Sequence, residues 1–258
     1  MDRAYQGKAM NRRLDTYKGE IIFSLDDLFE IAGKDPTKAD VERLMPTDGK
    51  LLSRLIEEDP GKKLSSLWGY LTSLAAERSA APVKLLGLDF AGRELSSGVL
   101  ILEEGADHIG EGMKGGRIFV LGEAGDFLGQ AMAKGGIVAE SCGDYAFRNM
   151  CGGFGVIKKE AGNYLGLGNS GGRILVKEDA GARAGWLMKA GRLVIKGDAG
   201  DYLGLLMSGG KITVCGAAGA RTGWRMKGGI IDVSECGPEM GEGAVGGKIL
   251  EKGFPRDP

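Results

Sequence analysis

The chain has 258 residues with 34 basic and 35 acidic side chains, which gives a formal net charge of −1. This balance favours neither a nucleic-acid partner nor an anionic membrane surface. Glycine accounts for 47 residues without a three-residue period, which excludes collagen. No signal peptide is recognisable at the start, and no apolar run approaches the ~18 residues of a membrane span. We therefore expect a cytoplasmic protein whose four cysteines stay reduced.

The N-terminal third of the chain has almost none of the glycine pattern seen later and predicts a small helical segment. Ser24 and Asp27 match a capping box. Asp35 followed by Pro36 indicates a second helix start, and two further apolar faces bring the total to three or four short helices within residues 24–78. This segment either caps one end of the following domain or docks on a partner chain, and the sequence leaves both interpretations open.

One motif, A-G-D-Y-L-G-x-x-M-x-G-G-x-I-x-V-x-G, repeats eight times in the rest of the chain. The closing glycines recur at intervals of about 19 residues, and four successive intervals are identical. A fixed period of this length is typical of a solenoid or an array. The closing glycines are Gly116, Gly136, Gly153, Gly172, Gly191, Gly210, Gly229 and Gly247.

Each repeat contains one alternating apolar stretch, such as Ile212 and Val214, which suits a strand with one buried face. A short unit with glycine corners favours parallel strands that stack coil on coil as a right-handed parallel β-helix. We expect a mainly β fold of about eight coils of about 19 residues in residues 83–258, preceded by the helical segment in residues 1–82. A recurring methionine should fill the core: Met113, Met132, Met150, Met188, Met207 and Met226.

Tyrosine and arginine alternate at one position of successive later repeats, and a tryptophan follows each arginine. In register, these side chains would lie on one edge with arginine between tyrosine rings, which gains roughly 0.5–1 kcal/mol per cation–π contact. The stripe is either a stabilising surface ladder or a recognition surface for a partner. This candidate partner-contact stripe consists of Tyr164, Arg183, Trp186, Tyr202, Arg221 and Trp224.

No catalytic, cofactor-binding or metal-ligating residues are assigned in this chain. The G-x-G-x-x-G matches, such as the one at 166–171, come from a repeat without the helix that a dinucleotide site needs. The single histidine, His108, occupies the repeat position that Tyr145 holds elsewhere, which predicts a stacked surface ring rather than a general base. Recurring acids such as Asp126 should bond to turn backbone.

The third repeat is irregular. Phe147 stands where other repeats have glycine. The interval that ends at Gly136 is longer than the common interval, and the interval that follows it is shorter. Two of the four cysteines, Cys142 and Cys151, flank this region. We predict a local bulge there, with a partner contact as its proposed role.

The repeat resembles the G-X-G-X-G domain. That domain is shared by a non-catalytic subunit of formylmethanofuran dehydrogenase, its bacterial counterpart in the formyltransferase/hydrolase complex, and the C-terminal part of the glutamate synthase large subunit. The resemblance extends from Gly98 to Gly247, which is more than half of the chain. It implies a right-handed β-helix without catalytic residues or cofactors, which braces the subunits or domains that carry out the chemistry.

Three functional hypotheses follow. The first is a non-catalytic scaffold subunit of a one-carbon oxidoreductase complex, whose partner subunits would hold the molybdenum or tungsten pterin, the iron–sulfur clusters and the zinc. The second is a free-standing glutamate synthase-type domain, whose partners would carry flavin, iron–sulfur and amidotransferase activity. The third is a structural protein that associates with itself as a homo-oligomer through an exposed coil edge.

Overall fold

The computed structural model describes residues 24–47 and 49–256 of the chain. In this part the fold is mainly β, with parallel strands stacked into a β-solenoid that follows four helices. The prediction of a mainly β fold, with a parallel β-solenoid after a small helical segment, is thereby confirmed. Among the described helices, none combines the length and the apolar content that crossing a membrane requires.

Of the four described helices, the first three are short and the fourth is long. They are α1 (Leu25–Ala32), α2 (Lys38–Leu44), α3 (Lys50–Leu55) and α4 (Gly61–Arg78). The predicted capping box of Ser24 and Asp27 is present at α1. The predicted start of the second helix was wrong, because Thr37 rather than Asp35 is its N-cap. A capping box needs an acid three residues after the cap; Thr37 has Asp40 there, whereas Asp35 has Lys38.

Helix α4 organises the helical segment. It buries an apolar face that includes Leu67, Leu71 and Leu74, and α1, α2 and α3 each pack on it. Trp68 is buried and donates its indole N–H to the Ile56 carbonyl at 3.2 Å, which ties α4 to the end of α3. The helices and the solenoid share one continuous apolar core.

Among the described residues, eleven strands form the main sheet, and two short strands, β4 (Glu123–Ala124) and β6 (Ser141–Cys142), pair separately. The strands of the main sheet are β1 (Val83–Leu85), β2 (Val99–Leu102), β3 (Lys114–Val120), β5 (Lys134–Ala139), β7 (Phe154–Ile157), β8 (Ser170–Val176), β9 (Ala190–Ile195), β10 (Lys211–Ala218), β11 (Ile230–Cys236), β12 (Lys248–Glu251) and β13 (Phe254–Arg256). They lie side by side in that order. All neighbouring pairs are parallel except β12 and β13, which form an antiparallel hairpin.

In the part of the chain that the structure describes, the solenoid has about nine turns rather than the predicted eight. One corner of each turn is a non-glycine residue with φ close to +60°, and nine such residues recur at nearly constant intervals along the chain. The first of them, Phe90, belongs to a turn that lacks the repeat's paired glycines, which is why the count of closing glycines missed it. The nine corner residues are Phe90, His108, Phe127, Tyr145, Tyr164, Arg183, Tyr202, Arg221 and Glu239.

The core consists of stacked columns of apolar side chains. In each regular coil two residues of the main strand point inward, such as Ile212 and Val214 of β10, which pair with Ile231 and Val233 of β11. The recurring methionines are all buried, as predicted. Most of them pack near the closing glycine of the next coil; a Cβ at Gly229 would lie 2.6 Å from the methyl carbon of Met207. This contact explains why these corners are glycine.

The intervals around Gly136 are irregular because Gly135, and not Gly136, is the closing glycine of that coil. Gly135 rather than Gly136 has the positive φ that Gly116 and Gly153 share, and counted from Gly135 the two intervals agree to within one residue. The register shift in this region lies between β3 and β5, and β7 pairs without a shift on both sides. The bulge therefore occurs before the position of Phe147, whose side chain is fully buried and makes no surface contact.

A second column of small residues lines another side of the core. The backbone of Cys142 forms a parallel β-bridge with Ala161. Further β-bridges of this kind join alanines of successive coils as far as Ala218. None of the four cysteines forms a disulfide bond. Burial raises the pKa of the Cys142 thiol to about 12, because the thiolate would lose its hydration there.

This burial predicts a pH-dependent stability. An unfolded thiol deprotonates at about pH 8.5, whereas the folded Cys142 thiol keeps its proton to about pH 12. Its contribution to the free energy of unfolding is therefore complete below about pH 8.5 and falls as the pH rises between these values. Melting curves of the wild type and Cys142→Ala from about pH 8 upward test this, since alanine fills the same position in neighbouring coils. Parallel pH profiles for the two chains would contradict it.

Candidate functional site

The nine corner residues form one continuous stack along an edge of the solenoid, which we call the ladder. Each ladder residue has left-handed backbone, a conformation that non-glycine residues adopt at a steric cost of roughly 1–2 kcal/mol. Backbone bonds between coils hold this conformation: the amide of Tyr164 donates to Ala182 O at 2.9 Å, and the amide of Tyr202 donates to Ala220 O at 2.8 Å. The side chains consequently project from the same corner of successive coils.

The N-terminal half of the ladder is aromatic. The ring centroids of Phe90 and His108 lie 4.5 Å apart, those of His108 and Phe127 4.8 Å, and those of Phe127 and Tyr145 5.1 Å. Tyr145 then stacks on Tyr164 at 4.5 Å, and all four pairs are within 8° of parallel. The single histidine is therefore a stacked ring, as the sequence predicted, and its Nδ1 lies 3.0 Å from a carboxylate oxygen of Glu111.

The C-terminal half alternates arginine with tyrosine. The Arg183 guanidinium lies 5.3 Å from the ring centroids of both Tyr164 and Tyr202, so it is held between them. The Arg221 guanidinium lies 5.5 Å from Tyr202 on the other side and donates a hydrogen bond to the tyrosine hydroxyl. The structure thus brings together on one edge the four residues that the sequence placed there.

The two tryptophans of the predicted stripe flank the ladder rather than joining it. Trp186 is tilted against Tyr164 with a centroid separation of 5.8 Å, and Trp224 meets Tyr202 edge-on at 6.1 Å. The Arg225 guanidinium lies 4.4 Å from the Trp224 ring. The buried indole N–H of Trp186 has no hydrogen-bond partner among the described residues.

Both ends of the ladder carry residues that the sequence interpretation missed. At the N-terminal end, Arg93 lies over both Phe90 and Tyr70 of α4, at 5.4 and 4.8 Å from the ring centroids. At the C-terminal end, Glu239 accepts a 2.5 Å hydrogen bond from Arg221, which raises the pKa of that guanidinium. Phe90 lies one repeat period before His108 and could have been found by extending the repeat backwards, whereas nothing in the repeat indicates the contact with α4.

The recurring acids lie beside the ladder and connect one coil to the next. The Asp126 carboxylate accepts a 2.7 Å hydrogen bond from the Asp144 amide, and Asp144 accepts one of the same length from the Asn163 amide. Asp201 accepts a hydrogen bond from the Ala220 amide at 2.8 Å in the same way. The prediction that these acids bond to backbone is confirmed, but the bonded amide belongs to the following coil instead of the acid's own turn.

Comparison with known proteins gives no family. Neither the protein-family models nor the curated proteins that were searched contain a match to this chain. Within residues 24–47 and 49–256, no three or more histidine, cysteine, aspartate or glutamate side chains are grouped so that they could hold a metal ion.

The ladder geometry predicts a measurable contribution from Arg183 to stability. Its guanidinium contacts two tyrosine rings, and each cation–π contact is worth about 0.5–1 kcal/mol when partly exposed. Arg183→Ala should therefore lower the free energy of unfolding by about 1–2 kcal/mol. Urea denaturation of this variant beside Lys189→Ala, an exposed lysine outside the ladder, is the measurement. Equal denaturation midpoints for the two variants would show that the contacts of Arg183 add nothing to the free energy of unfolding.

Proposed function

We propose that this chain is a non-catalytic scaffold subunit of an oxidoreductase complex similar to formylmethanofuran dehydrogenase. In that complex, partner subunits would interconvert CO2 and an N-formyl group on their own molybdenum or tungsten pterin, iron–sulfur clusters and zinc. The resemblance of the glycine repeat to the G-X-G-X-G domain supports the choice of complex. The proposal includes a right-handed winding of the solenoid, which parallel crossovers strongly favour, and a cytoplasmic location.

The observation that carries the scaffold role is the ladder. The ladder presents tyrosine and arginine side chains along one edge, Trp186 and Trp224 lie beside it, and these residue types dominate the binding energy of protein interfaces. Coil-to-coil hydrogen bonds fix the ladder before any partner arrives. A partner would therefore bind without the entropic penalty of ordering these side chains.

The alternative of end-to-end self-association is less well supported by the ends of the sheet. At the N-terminal end, α4 packs on the first coil. At the C-terminal end, β13 turns back antiparallel on β12 and places Pro255 in the last strand of the sheet. An edge strand that contains proline is a poor template for a further strand, because proline has no N–H to donate.

Affinity purification of the tagged full-length chain from its source cells, followed by mass spectrometry, tests the proposal. We expect pterin-dependent oxidoreductase and amidohydrolase-type subunits to co-purify with the wild type. They should also co-purify with Lys62→Glu, an exposed control position on α4, and be lost with Arg183→Glu. Flavin- and glutamine-amidotransferase-containing partners would replace the proposal with the glutamate synthase hypothesis. A chain that purifies alone would refute both.

A further inference from the structure

The outer face of the main sheet carries an apolar column at the position where a solvent-facing strand residue is ordinarily polar. Successive members are paired across β2, β3, β5, β7, β8 and β9, so they form one unbroken line along the solenoid. All are half-buried. The six residues of this apolar column are Ile101, Phe119, Val138, Val156, Leu175 and Val194.

Two rows of cations, which we call the rails, run beside the apolar column between β7 and β10. One rail lies two residues before the column and the other two residues after it. In β7 the position of the first rail is held by Phe154 instead of a cation. Its side chain is 41% exposed, and its ring lies across Gly136. The cations of the rails are Arg173, Arg192 and Lys211 on one side and Lys158, Lys177 and Lys196 on the other.

Most of this positive charge is not neutralised within the described chain. Lys158 pairs with Glu140 at 2.6 Å and Lys211 with Asp232 at 3.7 Å. No carboxylate among the described residues lies within ion-pair distance of the remaining four cations, Arg173, Lys177, Arg192 and Lys196. In a chain with a net charge of −1, this is a local excess of positive charge beside half-buried apolar surface. Such a combination marks an interaction surface for an acidic partner.

The dimensions of the face indicate what form the partner takes. The rails are four residues apart along the chain, with the second rail one residue beyond the ends of β7, β8 and β9. This separation is about 13 Å at ~3.3 Å per residue. An α-helix with its side chains is about 10–12 Å wide and would lie between them. Six strands at ~4.8 Å spacing make the apolar column about 24 Å long, which matches about 16 helical residues at about 1.5 Å each.

We propose that this sheet face binds an amphipathic helix of a partner protein, with apolar side chains on the column and aspartate or glutamate against the rails. The inference rests on the scaffold role proposed above only in expecting a partner. A second copy of this chain does not supply such a helix from its described residues. The acidic helix α1 already buries Leu25 and Leu28 in its own core.

Two synthetic helical peptides of about 18 residues test the proposal on the full-length chain. Both carry leucine along one face; the first has glutamate on either side of it, and the second has lysine there. Fluorescence anisotropy should show that the glutamate peptide binds, that the lysine peptide does not, and that affinity falls as salt is raised. Arg192→Glu/Lys196→Glu should weaken binding by at least about tenfold, and Arg192→Gln/Lys196→Gln should do so to a smaller extent.

The matched control is Lys189→Glu/Lys227→Glu, which reverses two exposed lysines at the corner preceding the sheet and should leave binding unchanged. Binding of both peptides alike, binding of neither, or equal weakening by the control overturns the proposal. The outcome is independent of the co-purification experiment. A chain that purifies alone but selects the glutamate peptide would refute the oxidoreductase complex while leaving this face as a helix-binding surface.

Discussion

A chain with Phe147→Gly is expected to melt well below the wild type, and adding Gly155→Ile is expected to restore most of the loss. Phe147 is fully buried at a corner where the other coils have glycine. Removing a buried phenylalanine side chain destabilises by about 3–5 kcal/mol. Relief of the left-handed backbone strain at this residue, φ +57°, returns roughly 1–2 kcal/mol. The net loss for the single variant should be about 1–4 kcal/mol.

The rescue follows from what the Phe147 ring replaces. Gly155 stands in the strand position where its paired neighbours are Ile137 and Ile174. A Cβ built on Gly155 would lie 2.1 Å from the Cζ atom of Phe147, so the ring fills the space of the missing isoleucine. Gly155→Ile alone should therefore destabilise by about 1–3 kcal/mol through overpacking. Together, the two changes reproduce the glycine–isoleucine pair of the regular coils.

Thermal melting followed by circular dichroism on all four chains of the cycle measures this coupling. We expect the double variant to be more stable than either single variant, with an interaction free energy of about 2 kcal/mol or more. The control cycle combines Phe147→Gly with Ile231→Val, which lies in a distant coil. The two losses in free energy of unfolding should add there without an interaction term. Additive losses in the Phe147–Gly155 cycle would show that the ring does not occupy the isoleucine position.

The period of the solenoid was predictable because a repeated backbone conformation demands repeated residue types. Positive φ at the closing corners and contact with a methionine of the preceding coil both require glycine, as Gly229 shows. The alternation of Ile212 and Val214 follows from a strand with one buried face. Any stretch that satisfied both rules could be assigned to a coil from the sequence alone.

The exceptions were not predictable by the same rules. Gly135 and Gly136 are adjacent glycines, and only the backbone conformation decides which one turns the corner. The substitution of Phe147 for glycine was visible, but its compensation by Gly155 lies in the packing between neighbouring strands. The pattern of single residues therefore did not reveal the buried exchange of volume between Phe147 and Gly155.

Some contacts of the candidate site were likewise predictable from the sequence, and others were not. The stacking of Arg183 between Tyr164 and Tyr202 follows from the period, because residues one period apart occupy the same corner. The contact of Arg93 with Tyr70 does not, since Tyr70 belongs to a helix outside the repeat. The apolar column on the sheet was hidden for another reason. A half-buried strand position and a buried one look alike in the sequence when both are apolar.

The junction between α4 and the first coil was also beyond the sequence, and it shows how the helix substitutes for a missing coil. The amide of Gly110 donates to Ala91 O in the preceding coil, whereas the equivalent amide of Gly92 donates to the Thr72 hydroxyl at 2.9 Å. The amide of Ser96 likewise donates to the Glu77 carboxylate at 2.6 Å. Side chains of α4 thus satisfy backbone donors that would otherwise be left without partners at the end of the solenoid.

Gly69→Val is expected to separate α4 from the first coil. A Cβ at Gly69 would lie 2.4 Å from the Phe90 carbonyl oxygen and 2.9 Å from its Cβ. Neither atom can rotate away, because the Phe90 amide is bonded to Asp107 O and its ring is stacked on His108. Valine must therefore displace the helix, which breaks the bonds of Thr72 and Glu77 to the coil. Of the two released amides, that of Gly92 is buried, and a buried donor left unpaired costs about 1–3 kcal/mol.

Hydrogen exchange measured by mass spectrometry locates this loss. We expect amides of α4 and the first coil to lose protection in Gly69→Val, while the strands from β8 onward keep theirs, because a solenoid coil depends mainly on its neighbours. Lys62→Val places the same side chain at an exposed position of the same helix and should leave exchange unchanged. Uniform loss of protection along the whole chain would show that α4 and the solenoid unfold as one unit. Unchanged protection would show that the helix tolerates the side chain and does not depend on close contact at Gly69.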